Sequence, residues 1–177
     1  MTGRRDPEAR RRAIIDAACE LIPEVGVDGL THRLVAARAG VPLGATTYYF
    51  ATLDDLTKTA LSHATQITAG YLRSWAEALR ASGDIAATLA ELTEECLADR
   101  PRALIETELY LAAIRRPELR SLARMWFDGL VALLGEHVPP AHATATAFLL
   151  DGAIIRTLSD DGTLDVAALT EALRLVL

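Results

Sequence analysis

Residues 31–56 read THRLVAARAGVPLGATTYYFATLDDL. Two short segments with helical periodicity, 32–39 and 42–49, are separated by Gly40-Val41-Pro42. Glycine at position 40 lets the chain turn through a left-handed conformation without a Cβ clash. Pro42 suits the first position of the next helix, where a missing N–H is harmless. Thr31 is placed to cap the first segment, with Leu30 and Val35 as a hydrophobic staple. Thr52 caps a third segment, with Asp54 and Asp55 at the positive end of its dipole. Small Ala36 permits a close crossing of the two short helices. This is the pattern of a helix-turn-helix, whose second helix lies in the major groove of DNA.

Outward from this stretch, glycine and proline punctuate helical patterns and no alternating strand pattern, repeat or low-complexity linker interrupts them. The spacing predicts an all-α chain of about nine helices: a three-helix head, residues 1–52, and a helical body, residues 53–177. The first helix is expected over 7–25, with Pro23 bending its last turn or ending it early. A long fourth helix is expected over 53–80. Further helices are expected over 85–98, 102–115, 118–137 and 139–158, and a last one after Asp165.

The net charge of −6 seems unsuited to a polyanionic partner. Its distribution matters more than its sum. Residues 1–53 carry seven arginines against six acids, and the remainder holds eleven basic side chains against eighteen acids. Basic density peaks at Arg4–Arg5 and Arg10–Arg12, so a locally basic head is carried on an acidic body. The scattered histidines suit no metal. No glycine-rich phosphate loop and no serine elbow is present, and Glu94-Glu95 reads as a solvated face. Neither an enzyme nor a cofactor is expected. Cys19 and Cys96 read as buried thiols. No apolar run reaches the roughly 18 residues of a membrane span, and no secretory signal is read at the N-terminus, so a soluble cytoplasmic protein is expected.

The stretch resembles the DNA-binding domain of the tetracycline-repressor (TetR) family. The resemblance lies in the arginine-rich lead, the Gly-x-x-Gly-Leu-Thr approach ending at Thr31, Ala-Ala-Arg-Ala-Gly-Val over 36–41, and Gly-x-x-x-Tyr-Tyr-Phe over 44–50, with the capped long helix behind them. It covers residues 8–60. It implies phosphate contacts by Thr31 and Arg33, and base-edge contacts by Ala45 and Thr47 on the second helix of the motif, where a methyl senses a thymine methyl. Tyr48 and Tyr49 would reach the backbone and fix register. Arg4, Arg5, Leu43 and Gly44 complete the expected DNA surface, and Phe50 is a packing anchor. The chain departs from the family where lysines usually stand, at Leu43 and Leu53, so phosphate binding is expected to rest on the N-terminal arginines, Arg33 and Arg38. Thr46 replaces an aliphatic residue and needs a backbone carbonyl for its hydroxyl.

The same resemblance implies a pocket among helices four to seven for a small-molecule inducer, largely apolar. Its expected lining is His63, Tyr71, Trp75, Glu106, Tyr110, Met125 and Trp126. It also implies a homodimer through helices eight and nine, with Ala147, Leu150, Asp151, Ile154, Leu158, Leu169 and Leu173 at the interface. Asp151, a charge within an apolar run, calls for a partner such as Arg156. The expected function is a transcriptional repressor that leaves its double-stranded operator when ligand binds. Two rivals stand beside it: a DNA-binding regulator with no ligand switch, and a helical enzyme or adaptor that does not bind DNA.

Overall fold

The computed structural model describes residues 6–160 and 162–177. Arg4 and Arg5 lie outside them. The described residues form nine α-helices and no strand: α1 Pro7–Gly29, α2 His32–Arg38, α3 Leu43–Tyr49, α4 Leu53–Ala81, α5 Ile85–Ala98, α6 Arg100–Arg115, α7 Arg120–Leu134, α8 Pro140–Ser159 and α9 Val166–Arg174. No helix among them is long and apolar enough to cross a membrane.

The expected caps are in place. The side chains of Thr31, Thr52 and Asp165 accept from the backbone N–H groups of Leu34, Asp55 and Ala168, each satisfying a donor that has no intrahelical partner. The first helix breaks just past its expected end at Val25, and Pro23 does not end it early. The helix passes Pro23 and breaks at Gly26, whose φ is 73°, before a last turn that reaches Gly29. The break is tied down from the body, because the N–H of Val27 donates to Glu108 Oε2 at 3.4 Å. The expected helix over 118–137 is also shorter. A 3-10 turn, Pro117–Leu119, precedes α7, which ends at Leu134.

Two apolar cores divide the molecule. The first joins Ile14, Ala18, Ile22, Leu30, Val35, Phe50, Leu56 and Leu61 to Ile105, Leu109, Ala112 and Ala113 of α6. The second joins Trp75, Leu79, Leu89, Trp126, Leu130 and Leu134 to Leu150, Leu169 and Leu173. Helix α4 serves both. Its 29 residues span about 43 Å at 1.5 Å each. The head is thus bolted to α6 and carried on one end of α4. Asp28 of α1 receives Arg115 and Arg116 at 3.1 and 2.8 Å, and Arg116 also reaches Asp54 of α4 at 3.4 Å. These exposed pairs contribute little stability singly, but together they fix the angle at which α1 leaves α6.

The turn between α2 and α3 depends on Gly40, whose φ is 63°. A Cβ there would meet no atom within 4 Å, so its cost is conformational alone. Gly40→Ala is expected to lower the unfolding free energy by about 1–2 kcal/mol. Gly26→Ala should cost more, because its Cβ would also stand 3.3 Å from Glu108 Oε2. Urea denaturation of the two variants checks the order.

Candidate functional site

On the head, α2 and α3 present one continuous outer surface. Thr31, Arg33, Leu43, Gly44, Thr47 and Tyr48 are exposed, while Ala45 and Tyr49 are half-buried. Tyr48 is 81% exposed and meets Tyr49 edge to face, the ring centroids 5.2 Å apart. No packing demand accounts for an exposed phenol on a seven-residue helix. Beneath this face, Thr46 is fully buried and its hydroxyl donates to the carbonyl of Leu43 at 2.8 Å, so the expected bond is made. Phe50 is buried as an anchor, with the Arg11 guanidinium 5.2 Å from its ring centroid.

One expected phosphate contact is already spent. Arg38 turns back to α1 and donates to both oxygens of Glu24, at 2.9 and 2.7 Å, with Glu20 at 3.5 Å. That bond holds the Glu24 carboxyl below its usual range. A cationic feature that sequence reasoning missed lies between α1 and α4, where Arg11 and Lys58 line one groove with His63 beside them. His63 faces Asp16 there at 3.7 Å, which removes it from the expected ligand pocket.

The body holds a part-buried polar cluster among α4, α6, α7 and α8. Glu106 accepts from Thr68 at 2.6 Å and from Arg102 Nη1 at 3.0 Å. Asp151 accepts from Trp126 Nε1 at 3.1 Å and, weakly, from the Tyr110 hydroxyl at 3.5 Å. Burial drives the Asp151 carboxyl up to about 6, against the pull of those two donors and with a further push from Glu106. Burial raises Glu106 as well, opposed by Arg102 and Thr68. Trp75 and Trp126 pack edge to face, 5.4 Å between centroids. They fill the space that was expected to be open, and the cavity beside Glu106, Tyr110 and Trp126 is about 10 Å³. Thus Trp75, Glu106, Tyr110 and Trp126 of the expected lining come together. Tyr71 instead covers Arg102 and reaches Asp99, and Met125 is 43% exposed.

The expected interface residues are placed differently. Ala147, Leu150, Ile154, Leu158, Leu169 and Leu173 are all buried within their own chain, because α8 and α9 close the second core. Asp151 turns inward to Trp126, and Arg156 pairs with Asp160 at 2.7 Å instead. The exposed side of α8 is a second apolar stripe, Ala145, Phe148, Gly152 and Ile155. Phe148 meets Phe127 of α7 at 4.9 Å, and Phe127 borders a shallow apolar groove with Ile114, which is 71% exposed.

With this geometry in view, the chain was compared with known proteins. Residues 14–60 match the family model for bacterial regulatory proteins of the tetR family, and residues 80–177 match that for the tetracyclin repressor-like C-terminal domain. The HTH-type transcriptional regulator BetI of Burkholderia thailandensis is 28% identical over 173 residues, covering 91% of this chain and 88% of that protein. Among solved structures, a TetR family member from Streptomyces coelicolor A3 superposes with a TM-score of 0.84 at 42% identity, covering 95% of this chain and 98% of that one. The multidrug binding protein EbrR complexed with ethidium superposes with a TM-score of 0.80 at 42% identity, with the same coverages.

The raised carboxyl at position 151 has a consequence for stability. Its folded value of about 6 exceeds the ordinary 3.8, so the native chain binds more protons between those values. Stability therefore falls as pH rises through that window and levels off above it. Asp151→Asn keeps an acceptor for Trp126 and removes the buried charge. It should raise stability by on the order of 1–3 kcal/mol at about pH 8 and flatten the profile between about pH 4 and 6. Denaturation across a pH series reads both.

Proposed function

Because this chain belongs to the tetracycline-repressor family of DNA-binding transcriptional regulators, we propose that it is a cytoplasmic homodimeric repressor, released from its operator when a small molecule enters the body. Residues 1–52 are the reading head, and residues 53–177 bind the ligand and pair the protomers. The chain has no catalytic role in this reading.

The observation that carries the DNA reading is the outward face of α3, with Tyr48 exposed on it. Ala45 and Thr47 face base edges. Thr31, Arg33, Tyr48 and Tyr49 hold phosphate, Leu43 and Gly44 line the approach, and Arg4 and Arg5 reach along the backbone. Arg11 and Lys58 supply the charge that Arg38 has given to Glu24. Tyr48→Phe is expected to weaken operator binding by about 0.5–1.5 kcal/mol, the net range for one hydrogen bond. Removing Arg4 and Arg5 should flatten the salt dependence, since fewer counterions are released. Fluorescence anisotropy on the chain's own upstream DNA measures both. A folded Tyr48→Ala, Thr47→Ala double variant with unchanged affinity would remove α3 from the contact.

For the ligand, the half-buried Asp151 carboxylate beside two indoles favours a flat, largely apolar cation over a neutral molecule. The ring faces attract a cation, and Asp151, held by Trp126 and Tyr110, balances its charge, whereas Glu106 is already paired with Arg102. Dyes such as ethidium have this chemistry. Entry requires the Trp75–Trp126 pair to part, because the resting cavity is about 10 Å³ against roughly 300–1,000 Å³ for a drug-sized site. Parting that pair moves the distal half of α4, whose proximal end carries the head. Ethidium and operator must then weaken one another by the same factor. Titration of ethidium with and without operator is expected to show this, and Asp151→Asn should weaken the dye in both titrations.

The homodimer is read from the exposed stripe of α8. Phe148, Gly152 and Ile155 leave an apolar face that a second copy would cover. Phe148→Glu is expected to yield monomers by sedimentation at micromolar concentration, with reduced operator affinity. A monomeric unsubstituted chain under the same conditions would refute the dimer.

A further inference from the structure

A second cleft, distinct from the part-buried cluster, opens where head and body meet. It measures about 200 Å³, against about 10 Å³ for the cavity in the body. Cys19 and Glu20 of α1 form one wall, Ala64 and Ile67 of α4 another, and Pro101, Arg102 and Ile105 of α6 the third, with Asp99 at the rim. The lining is apolar at Ala64, Ile67, Pro101 and Ile105. Beside the exposed carboxylates of Glu20 and Asp99, Arg102 is the buried charged group of the lining, only 8% exposed. Its Nη1 donates to Glu106 and its Nη2 to the carbonyl of Cys96, and Tyr71 lies over the guanidinium, with the ring centroid 3.7 Å from Cζ. Its Nε–H has no hydrogen-bond partner; it forms an ion pair with Asp99 Oδ2 at 3.6 Å, too long for a hydrogen bond. A buried donor left without a hydrogen bond is costly, and here it belongs to a residue that lines an apolar cleft.

We propose that this cleft is a second small-molecule site, for a compact neutral molecule that is mostly apolar and offers one acceptor, such as a carbonyl oxygen, to Arg102 Nε. The charge balance selects neutrality. Glu106 and Asp99 already pair with Arg102, so an added anion meets these carboxylates and Glu20 without a free positive charge, while a cation is opposed by the guanidinium. The volume suits a single ring or a short chain. All three walls carry the joint between head and body, so an occupant bears on the angle between α1 and α6. The site is therefore placed to modulate operator affinity, a consequence that rests on the regulator reading above; binding itself does not.

The test uses the full chain with 13C-labelled isoleucine methyls, and acetophenone, ethylbenzene and benzoate as probes. Acetophenone is expected to shift the methyl signals of Ile67 and Ile105 saturably and to leave those of Ile114 and Ile155 in place. Ethylbenzene, which lacks the acceptor, should bind about tenfold more weakly, and benzoate more weakly still. Ala64→Phe fills the cleft and should abolish the shifts. Should that variant not fold, Ile67→Trp, at a position half exposed on the rim, closes the same space and is read through Ile105. In a parallel titration without labels, saturating acetophenone should change operator affinity by about fivefold or more. Absence of saturable shifts at Ile67 and Ile105, or shifts that survive both cleft-filling variants, overturns the site. Ethylbenzene binding as tightly as acetophenone overturns the role of Arg102. Binding in the cleft with unchanged operator affinity, in protein that binds operator, overturns the coupling alone.

Discussion

The three-helix head cannot close its own core. Helices of 23, 7 and 7 residues offer too little apolar surface to exclude water from Ile14, Ile22 and Val35 unaided, and Leu56 of α4 with Ile105, Leu109, Ala112 and Ala113 of α6 complete the enclosure. Everything else in the molecule is arranged around that dependence. The break at Gly26 lets the end of α1 turn onto α6, Glu108 satisfies the amide exposed by the break, and Arg115 and Arg116 clasp Asp28. A head that borrows its core from the body shares packed side chains with α6 and α4, so its orientation depends on theirs.

The body carries the opposite feature, polar groups where apolar packing would be more stable. Glu106, Asp151 and Arg102 lose hydration on burial, and hydrogen bonds from Thr68, Trp126 and Tyr110 recover part of that loss. The residual shows in the upward displacement of both carboxyls. A chain of this size has ample leucine and alanine with which to fill the space. The cost of retaining two largely desolvated acids beside two tryptophans falls on stability.

Much of this was legible in the sequence because it is local. Capping at Thr31, Thr52 and Asp165, the turn at Gly40, the helical length of residues 53–81 and the hydroxyl bond of Thr46 all depend on atoms within a few residues of one another. Pro23 left a bend or an early stop open for the same reason. Locally it argues for either, yet a long helix can lose one backbone bond and continue, and the break falls instead at the glycine whose exposed amide finds Glu108. That partner is remote in sequence, so no local reading locates it. Arg38 misled, since only the packing of α2 on α1 brings Glu24 to its guanidinium.

Helix α8 separates what each level decides. Its sequence determines that it is a helix and that most of its surface is apolar, because alanine, leucine and isoleucine recur at every phase of the 3.6-residue repeat. It does not determine which stripe faces the chain's own core and which faces outward, since burial against either neighbour removes similar apolar area from water and periodicity carries no sign of the partner. The tertiary structure decides it. Leu150, Ile154 and Leu158 turn inward against the second core, Phe148, Gly152 and Ile155 turn outward, and Asp151 is carried with the inward set to Trp126. The sequence by itself established a helix-turn-helix head on an all-helical body. Only the packing of α6, α7 and α8 established which charges are buried, because burial depends on contacts between residues tens of positions apart.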